Sequence, residues 1–280
     1  MAPRDDAERR NLRLVARMAS AGALRASEVA AAFRAVPRHH FLPGLPLGEV
    51  YEDCPVATKV GEHGAAVSSS SQPAIMAIML QQLGPRPGQR VLEIGAGTGY
   101  NAALLARLVA PGGRVTTLDI DQDVCRQAGA HLAAAGAEGV EVVCADGAAG
   151  WPPGAPYDRI LLAASATDLA PAWLEQLTEG GRLVVPLALA GPVQHCVAFV
   201  RRGRVLVSDE VGCCAFLPLR GELAGAAPPD EELAAWLADI GDPKPRQLRI
   251  AAYPRGEEPV LAADRRVLRR ARFTFSLTAS

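Results

Sequence analysis

Short apolar runs and stretches with helical spacing alternate along the chain from about residue 85 to residue 190. The alternating segments are, in order, RVLEIGAG, NAALLARLVA, RVTTLDI, DVCRQAGAHLAAAG, VEVVCAD, YDRILLAAS, PAWLEQL and RLVVPLAL. Regular alternation of strands and helices is typical of a parallel sheet that is covered by helices on both faces. The pattern therefore predicts an α/β fold with a doubly wound sheet.

Two helical stretches and a long aperiodic segment precede this region. Apolar residues recur at helical spacing over residues 6–21 and 27–36, and Ser27 stands where an N-cap is expected. Residues 37–71 show no period and contain four prolines, which favours loops of the kind that carry function. A further helix is predicted over residues 72–82.

The chain after the alternating region predicts a hairpin, a linker and a small α+β extension. The hairpin is expected at the edge of the sheet. The residues expected in these elements are 196–201 and 204–207 for the hairpin, 221–229 for the linker, 230–240 and 261–270 for two helices, and 247–253 and 272–277 for two strands. We therefore divide the chain into a catalytic domain at residues 1–222, with a helical N-terminal cap at 1–84 and a core at 85–222, and an extension at 223–280.

Composition and charge exclude several classes of protein. The 280 residues carry 29 basic and 30 acidic side chains, so the chain lacks the basic surface expected of a nucleic-acid-binding protein. The longest apolar run, residues 183–193, contains two prolines and is too short to cross a bilayer. The first ten residues are highly charged and unlike a secretory signal, which indicates a cytoplasmic protein.

The six cysteines predict neither a metal site nor a redox pair. They form no CxxC motif and show no ligand-like spacing with the five histidines. We expect reduced, mostly buried thiols, with no metal in the protein. Cys213 and Cys214 are expected in the core of a strand, because neighbours on a strand point to opposite faces and seldom form a disulfide.

The first strand of the alternating region ends in a glycine-rich turn. In the run VLEIGAGTGY, residues 91–100, Gly95, Gly97 and Gly99 fit the pattern GxGxG. The dinucleotide fingerprint GxGxxG would need glycine where this chain has Tyr100. A turn of this kind lets the backbone approach a ligand closely.

Acidic residues accompany this turn at three successive strand ends. Glu93 precedes the first glycine by two residues, and Asp119 ends the next strand, where a carboxylate can accept both hydroxyls of a ribose. Asp146 follows the third strand and could accept a hydrogen bond from an adenine amino group. These acids predict a nucleoside cofactor without a phosphate chain; the alternative is an ordinary helix–strand turn with surface acids.

The glycines and acids together resemble those of a class I S-adenosylmethionine-dependent methyltransferase, with its Rossmann-like fold. Flanking motifs narrow the resemblance to the protein-L-isoaspartate O-methyltransferase family over residues 10–222. The motifs are AVPRHHFLPG, YEDCP, SSSQPAIMAIML, VLEIGAGTGYNAALLA, ADG, APYDRILLAAS, LTEGGRLVVP and FLPLRG. The resemblance implies S-adenosylmethionine as the cofactor and methyl transfer to a carboxylate, which needs no general base because it is already ionised at neutral pH.

The same resemblance implies a set of site residues. Ser71 aligns with the serine at the methyl-transfer site of the family, in the pattern GQTISQP, and is the catalytic candidate. The substrate-binding candidates are Ser69, Ser70, Tyr51 and Asp53, and the cofactor-binding candidates are Glu93, Gly95, Ala96, Gly97, Asn101, Asp119, Ile120, Asp146 and Gly147. Ser70 or Ser71 could instead cap the following helix, Tyr51 and Asp53 could serve loop hydrogen bonding, and the two histidines of PRHHF could be packing residues.

Departures from the family pattern bear on the substrate. Residues 67–70 replace the GQTI part of the pattern, residues 55–59 replace a PLPIG element, and the tail after about residue 225 is expected to have no counterpart in the ordinary repair enzyme. Peptide-modifying relatives found with lanthipeptides, lasso peptides and graspetides look similar in their SSSSQP segment and C-terminal extension. They methylate an aspartate in a cyclised precursor peptide.

The main prediction is therefore O-methylation of an aspartate carboxylate in a ribosomally synthesised, post-translationally modified peptide, leading to a succinimide. General isoaspartate repair of proteins is the alternative, and an inert cofactor-binding domain is a third reading. The tail is locally basic, which suits an acidic peptide, although it could equally serve only to cover a sheet edge. No nucleic-acid or membrane partner is expected, and the sequence leaves the oligomeric state open.

Overall fold

The computed structural model describes residues 3–62, 64–190, 193–225, 230–240, 248–259 and 265–279. The chain forms two compact units, Met1–Ala145 and Asp146–Ser280. The boundary falls before Asp146, the last residue of the predicted strand VEVVCAD, so the alternating strands and helices of the sequence are divided between the two units.

The first unit begins with helices and a hairpin and ends with three parallel strands. Its helices are α1 (Pro3–Ser20), α2 (Ser27–Ala35), α3 (Leu47–Val50), α4 (Pro73–Leu83), α5 (Tyr100–Val109) and α6 (Gln122–Ala134), with a 3-10 turn at Arg38–Phe41. Its strands are β1 (Val56–Val60), β2 (Ala66–Ser70), β3 (Arg90–Ile94), β4 (Arg114–Asp119) and β5 (Val140–Cys144). Strands β1 and β2 pair antiparallel with each other, whereas β4 pairs in parallel with both β3 and β5.

The parallel strands confirm the sequence prediction and show why their runs are continuously apolar. Val91, Leu92 and Ile94 of β3 are buried on both sides of the strand, as expected for a sheet with both faces covered. Helix α5 packs against this sheet and against α6. Gly99 precedes α5 at a φ of 84°, and a Cβ there would lie 3.1 Å from the side chain of Leu132 on α6. A glycine is therefore required at this helix start.

Two predictions for the N-terminal region are wrong. Residues 37–71 contain the β1–β2 hairpin and α3 in addition to loops. The hairpin lacks a strong apolar alternation because β1 exposes most of its residues, so its sequence carries little strand signal. Ser27 is the first residue of α2 and its hydroxyl bonds to Glu28, while Ala26 occupies the N-cap position.

The second unit is built on a sheet that is mostly antiparallel. Its strands are β6 (Tyr157–Leu162), β7 (Leu177–Leu187), β8 (Gln194–Arg202), β9 (Val205–Cys214), β10 (Leu248–Pro254), β11 (Arg266–Arg269) and β12 (Phe273–Ala279), and its helices are α7 (Pro171–Gln176) and α8 (Glu231–Ile240). The strand order in this unit is β6-β7-β8-β9-β10-β12-β11, and among its described strands only the β6–β7 pair is parallel. The C-terminal strands thus continue the sheet of this unit.

The structure corrects two expectations for the second unit. The predicted hairpin exists as β8–β9 but is not at the edge, because β10 pairs with β9 through Ala251 and Val207. The helix expected at 261–270 is wrong, since residues 266–269 form β11, and residues 261–264 lie outside the described part. A run as short as RVLR has no period that would distinguish a strand from a helix. It forms a strand here because it pairs with β12. Part of the expected linker, residues 226–229, also lies outside the described part.

None of the six cysteines, all of which lie in the described residues, forms a disulfide. Cys125 and Cys196 are buried, but Cys54, Cys144 and Cys213 are exposed, so the expectation of mostly buried thiols is wrong. Cys213 and Cys214 lie at the end of β9, and the exposure of Cys213 also contradicts its predicted place in the strand core. Among the described helices, none combines the length and the apolar character that a membrane span requires.

Candidate active site

The glycine-rich turn joins β3 to α5 and rests on the end of β4. The backbone N–H groups of Gly95 and Ala96 both donate to the carbonyl oxygen of Leu118, each at 2.8 Å. Gly97 has a φ of 51°, and a Cβ built on it would lie 3.1 Å from the carbonyl oxygen of Ser69 on β2. The turn therefore leaves backbone, without side chains, next to the β1–β2 hairpin.

Asp119 ends β4 beside this turn. Its Oδ2 accepts a hydrogen bond from the N–H of Gly97 at 3.3 Å, and its Oδ1 accepts one from the N–H of Asp121 at 3.1 Å. Both bonds fix the direction of the carboxylate at the strand end, which is the placement that recognition of a ribose diol requires. Ile120 follows with 39% of its side chain exposed, an apolar surface next to that carboxylate.

Glu93 lies beneath the turn and is completely buried. Its Oε1 accepts from the side-chain amide of Asn101 at 2.7 Å, and its Oε2 accepts from the hydroxyl of Thr117 at 2.6 Å. Burial raises the pKa of Glu93 to about 7, although these two hydrogen bonds oppose the shift. The carboxyl group thus holds Asn101, in the first turn of α5, in one orientation.

Arg38 is a buried residue that the sequence analysis did not single out. Its side chain is fully inaccessible, and burial lowers the pKa of the guanidinium from its ordinary value. The guanidinium donates to six acceptors: the carbonyl oxygens of Val50 (3.0 Å), Glu52 (3.1 Å), Cys54 (3.2 Å), Ser70 (3.4 Å) and Ser71 (3.0 Å), and the hydroxyl of Ser70 (3.3 Å). Arg38 therefore ties residues 50–54 to residues 70–71. An arginine between the apolar segments AVP and FLP is the sequence signal that could have revealed it, because buried charges need partners.

The candidate Ser71 is half-buried at the end of the hairpin, with its backbone held by Arg38. Ser70 is buried and its hydroxyl accepts from Arg38, so this side chain faces the protein interior. Ser69 is half-buried, and its backbone carbonyl lies next to Gly97. The structure thus brings Ser69 and the glycine turn together, while Ser70 takes a supporting position.

Neither serine caps α4. Gln72 is the N-cap residue, and Asp53 accepts from the N–H of Ala74 at 2.8 Å and from the side chain of Gln72 at 3.2 Å. Asp53 therefore provides the cap from a distant loop.

Tyr51 is buried, and its hydroxyl lies 2.7 Å from Nδ1 of His39. Burial raises the pKa of Tyr51 to about 12, and burial together with His40 lowers the pKa of His39. In the geometry shown, Tyr51 and Asp53 serve loop hydrogen bonding, and a contact of either with substrate stays a prediction.

The two remaining cofactor candidates belong to the second unit. Asp146 accepts from the N–H of Ala148 at 2.9 Å and from the N–H of Glu222 at 2.7 Å. A Cβ on Gly221 would lie 2.3 Å from this carboxylate, which explains the glycine that ends the FLPLRG motif. The carbonyl of Gly147 accepts from the indole N–H of buried Trp173 at 2.8 Å. These bonds fix Asp146 within its own unit.

The fold is that of a class I S-adenosylmethionine-dependent methyltransferase, with a Rossmann-like α/β architecture. The family model described as Protein-L-isoaspartate(D-aspartate) O-methyltransferase (PCMT) matches residues 9–224, and the chain belongs to this family. It is a protein carboxyl O-methyltransferase whose cofactor is S-adenosylmethionine.

Individual relatives agree with this assignment. A protein-L-isoaspartate O-methyltransferase of Methanopyrus kandleri is 40% identical over 211 residues, which is 75% of this chain and 91% of that protein. A solved structure of a protein-L-isoaspartate O-methyltransferase superposes with a TM-score of 0.70 at 26% identity, covering 96% of this chain and 88% of that one. A structure of the same description from Plasmodium falciparum, in complex with S-adenosyl-L-homocysteine, shares the fold with a TM-score of 0.63 at 19% identity, covering 74% of this chain and 96% of that one.

The solved structure with the TM-score of 0.70 shows whether the C-terminal tail has a counterpart. Its alignment covers 96% of this chain and so extends into the C-terminal strands of the second unit. The expectation that the tail has no counterpart in such enzymes does not hold for this structure. A C-terminal extension is therefore not by itself a mark of a peptide-modifying branch.

Proposed function

We propose that this enzyme methylates the free carboxylate of isoaspartyl residues in proteins and peptides, as the first step of their repair. The observation that carries the proposal is the extent of the family match, which spans residues 9–224 and so includes both the hairpin with Ser71 and the strand-end acids. Relatives that are about as long as the matched part are protein-L-isoaspartate O-methyltransferases by name.

The residues present fit S-adenosylmethionine. Gly97 keeps the turn free of a Cβ that would lie 3.1 Å from Ser69, and the oriented carboxylate of Asp119 stands at the adjacent strand end. When bound, the cofactor supplies an electrophilic methyl group. Asp119 would hold its ribose, Ile120 would cover its base, and Glu93 would act through Asn101 by fixing the first turn of α5.

The accepting group needs little chemical help from the protein. A carboxylate with an ordinary pKa of ~4 is ionised at neutral pH, so no general base has to remove a proton. Positioning of the carboxylate and exclusion of water are then the tasks that remain. Ser71 would orient the carboxylate with its hydroxyl, and Arg38 would keep Ser71 in place through its bond to the Ser71 carbonyl.

The expected product is a methyl ester of the acceptor. The following backbone amide nitrogen attacks the ester carbonyl, methanol leaves, and a succinimide ring closes. Hydrolysis of the succinimide gives either aspartate or isoaspartate, so repeated rounds convert isoaspartate into aspartate.

One specific observation favours a second candidate, O-methylation of an aspartate in a modified peptide. The segments that depart from the family pattern, residues 55–59 and 67–70, form most of the β1–β2 hairpin that leads to Ser71. The tail gives this candidate less support than its basic composition suggested. Within the second unit, Arg266 pairs with Glu232, Arg272 pairs with Glu222 at 2.7 Å, and Arg270 donates to the carbonyl of Leu189.

A matched set of acceptors distinguishes the two candidates. The full-length enzyme is incubated with labelled S-adenosylmethionine and three peptides of one sequence: linear isoaspartyl, linear aspartyl and cyclised aspartyl. Repair predicts labelled methyl ester on the isoaspartyl peptide alone. Labelling confined to the cyclised aspartyl peptide contradicts repair and supports peptide modification. The Ser71→Ala variant serves as the control for transfer at the proposed site.

A further inference from the structure

The β1–β2 hairpin contacts two separate loops of the cofactor side in the first unit. On β2, the carbonyl of Ser69 lies so close to Gly97 that a Cβ there would be 3.1 Å away. On β1, Nζ of Lys59 lies 2.5 Å from Oδ2 of Asp121 and 3.6 Å from Oδ2 of Asp123. The hairpin thus approaches the cofactor side at two points, one on each strand, and Lys59 forms an ion pair at one of them.

The Lys59 contact reaches the loop that carries the ribose acid. Asp121 is the N-cap of α6 and accepts from the N–H of Asp123 at 3.0 Å, while its own N–H donates to Oδ1 of Asp119 at 3.1 Å. One residue therefore links the hairpin lysine to Asp119. A movement of Lys59 away from Asp121 would loosen the segment that fixes the Asp119 carboxylate.

The ion pair is better shielded than an ordinary surface pair. The side chain of Asp121 is 14% exposed and that of Lys59 is 37% exposed. The hydrogen bond between them lowers the pKa of Asp121 and raises the pKa of Lys59, as expected when each charge stabilises the other. By contrast, Arg126 pairs with Asp123 on the same helix with both side chains more than half exposed, and Asp123 lies farther from Lys59 than Asp121 does, at 3.6 Å.

Lys59 is the fourth residue of β1 (Val56–Val60) in this hairpin. The hairpin that it anchors continues directly into Ser71, so the same element borders the cofactor loops and leads to the methyl-transfer candidate.

We propose that Lys59 is a positioning residue that clamps the β1–β2 hairpin against the cofactor-binding loops and thereby slows exchange of the cofactor and its product. The clamp rests on the proposed function only for the identity of the cofactor. Opening of the Lys59–Asp121 pair frees the hairpin strand and the Asp121 segment together. Dissociation of S-adenosylhomocysteine is then faster when the pair is absent.

A double-mutant cycle on the full-length protein tests the clamp. The variants are Lys59→Gln, Asp121→Asn and the double variant, and Asn at position 121 keeps the N-cap because it is as good a cap as Asp. The dissociation rate of S-adenosylhomocysteine, measured by stopped-flow competition, should rise about 3- to 10-fold in each single variant. The double variant should dissociate no faster than the single variants, because one interaction is lost in all three. Arg10→Gln, which removes the partly exposed ion pair with Asp6 on α1, is the matched control, with an unchanged rate.

Two further readouts separate the clamp from a merely structural role. Raising the salt concentration from about 50 mM to about 500 mM should speed dissociation from the wild type and leave Lys59→Gln nearly unaffected, because salt screens the pair. Without cofactor, the amides of β1 should exchange with deuterium faster in Lys59→Gln than in the wild type. A dissociation rate in Lys59→Gln equal to the wild-type rate, or additive effects in the double variant, would overturn the clamp. Failure of the wild type to bind S-adenosylhomocysteine would instead count against the proposed function.

Discussion

Replacement of Glu93 by glutamine should stabilise the protein by an amount that grows with pH. In the wild type, burial raises the pKa of Glu93 from an ordinary 4.5 to about 7. Between these two values the unfolded chain has lost this proton while the folded chain retains it. The free energy of unfolding therefore falls as the pH rises through this window, and the loss is complete above about pH 7.

The size of the effect follows from the shift. Each unit of pKa difference corresponds to about 1.4 kcal/mol, so the full loss is about 3 kcal/mol, of which about 1.4 kcal/mol has accumulated by about pH 5.5. Glutamine carries no titrating proton and fits the same partners. Its carbonyl accepts from Asn101, and its amide donates to the hydroxyl of Thr117, which can turn to accept. The stability gain of Glu93→Gln should thus increase by about 2 kcal/mol between about pH 5.5 and about pH 8.

Urea unfolding of both proteins at these two pH values measures the difference. Glu141→Gln, on strand β5 two strands away from Glu93, is the matched control for removal of one exposed negative charge. A stability difference that is the same at both pH values refutes the reasoning. Because Asn101 remains held, the affinity for S-adenosylhomocysteine should change less than about threefold, and a loss of tenfold or more would mean that the carboxylate itself contacts the cofactor.

Three other substitutions test the remaining parts of the site. Asp119→Ala should weaken S-adenosylhomocysteine binding by about one to three orders of magnitude in calorimetric titration, because two charge-assisted hydrogen bonds are lost; unchanged affinity would contradict its role. Ser71→Ala should lower kcat by about 10- to 100-fold with the cofactor affinity intact, whereas a normal kcat would leave the serine without a part in transfer. Arg38→Met should lower the free energy of unfolding by about 3 to 5 kcal/mol, because it leaves the carbonyls of residues 50–54 and 70–71 without their buried donor. Urea denaturation measures this loss, and a loss below about 1 kcal/mol would contradict the role of Arg38.

Truncation after Gly221 should now yield insoluble protein, because β10 pairs with β9 and the described tail strands bury Phe273, Phe275 and Leu277. If the tail served only to bind substrate, its removal would instead leave a soluble protein. Soluble truncated protein that still binds S-adenosylhomocysteine, as judged by gel filtration and calorimetry, would contradict it.

The sequence predicted the structure best where local patterns alone determine the strands and the residues at their ends. The apolar runs of β3, β4 and β5 predicted parallel strands, and the position of Asp119 after β4 placed it correctly beside the glycine turn. These inferences need only the strand period and the rule that parallel strands end at the same edge.

The sequence was least informative where a long-range contact decides the structure. The acceptors of Arg38 lie 12 to 33 positions away from it in the sequence. Its hydrogen bonds can therefore be identified only in the folded chain. The β1–β2 hairpin carries little apolar signal, and its bonds to distant residues run from Ser70 to Arg38 and from Lys59 to Asp121. The cap on α4 comes from Asp53 rather than from an adjacent serine, for the same reason.

The central claim is that this enzyme repairs isoaspartyl residues through methyl transfer, and a time course of repair tests it most directly. A purified isoaspartyl peptide is incubated with the enzyme and S-adenosylmethionine, and chromatography separates isoaspartyl, succinimide and aspartyl forms. We predict that the isoaspartyl form declines while the succinimide and then the aspartyl form accumulate, and that omission of S-adenosylmethionine abolishes the change. Unchanged isoaspartyl peptide in the presence of an enzyme that demonstrably binds S-adenosylhomocysteine would contradict the claim.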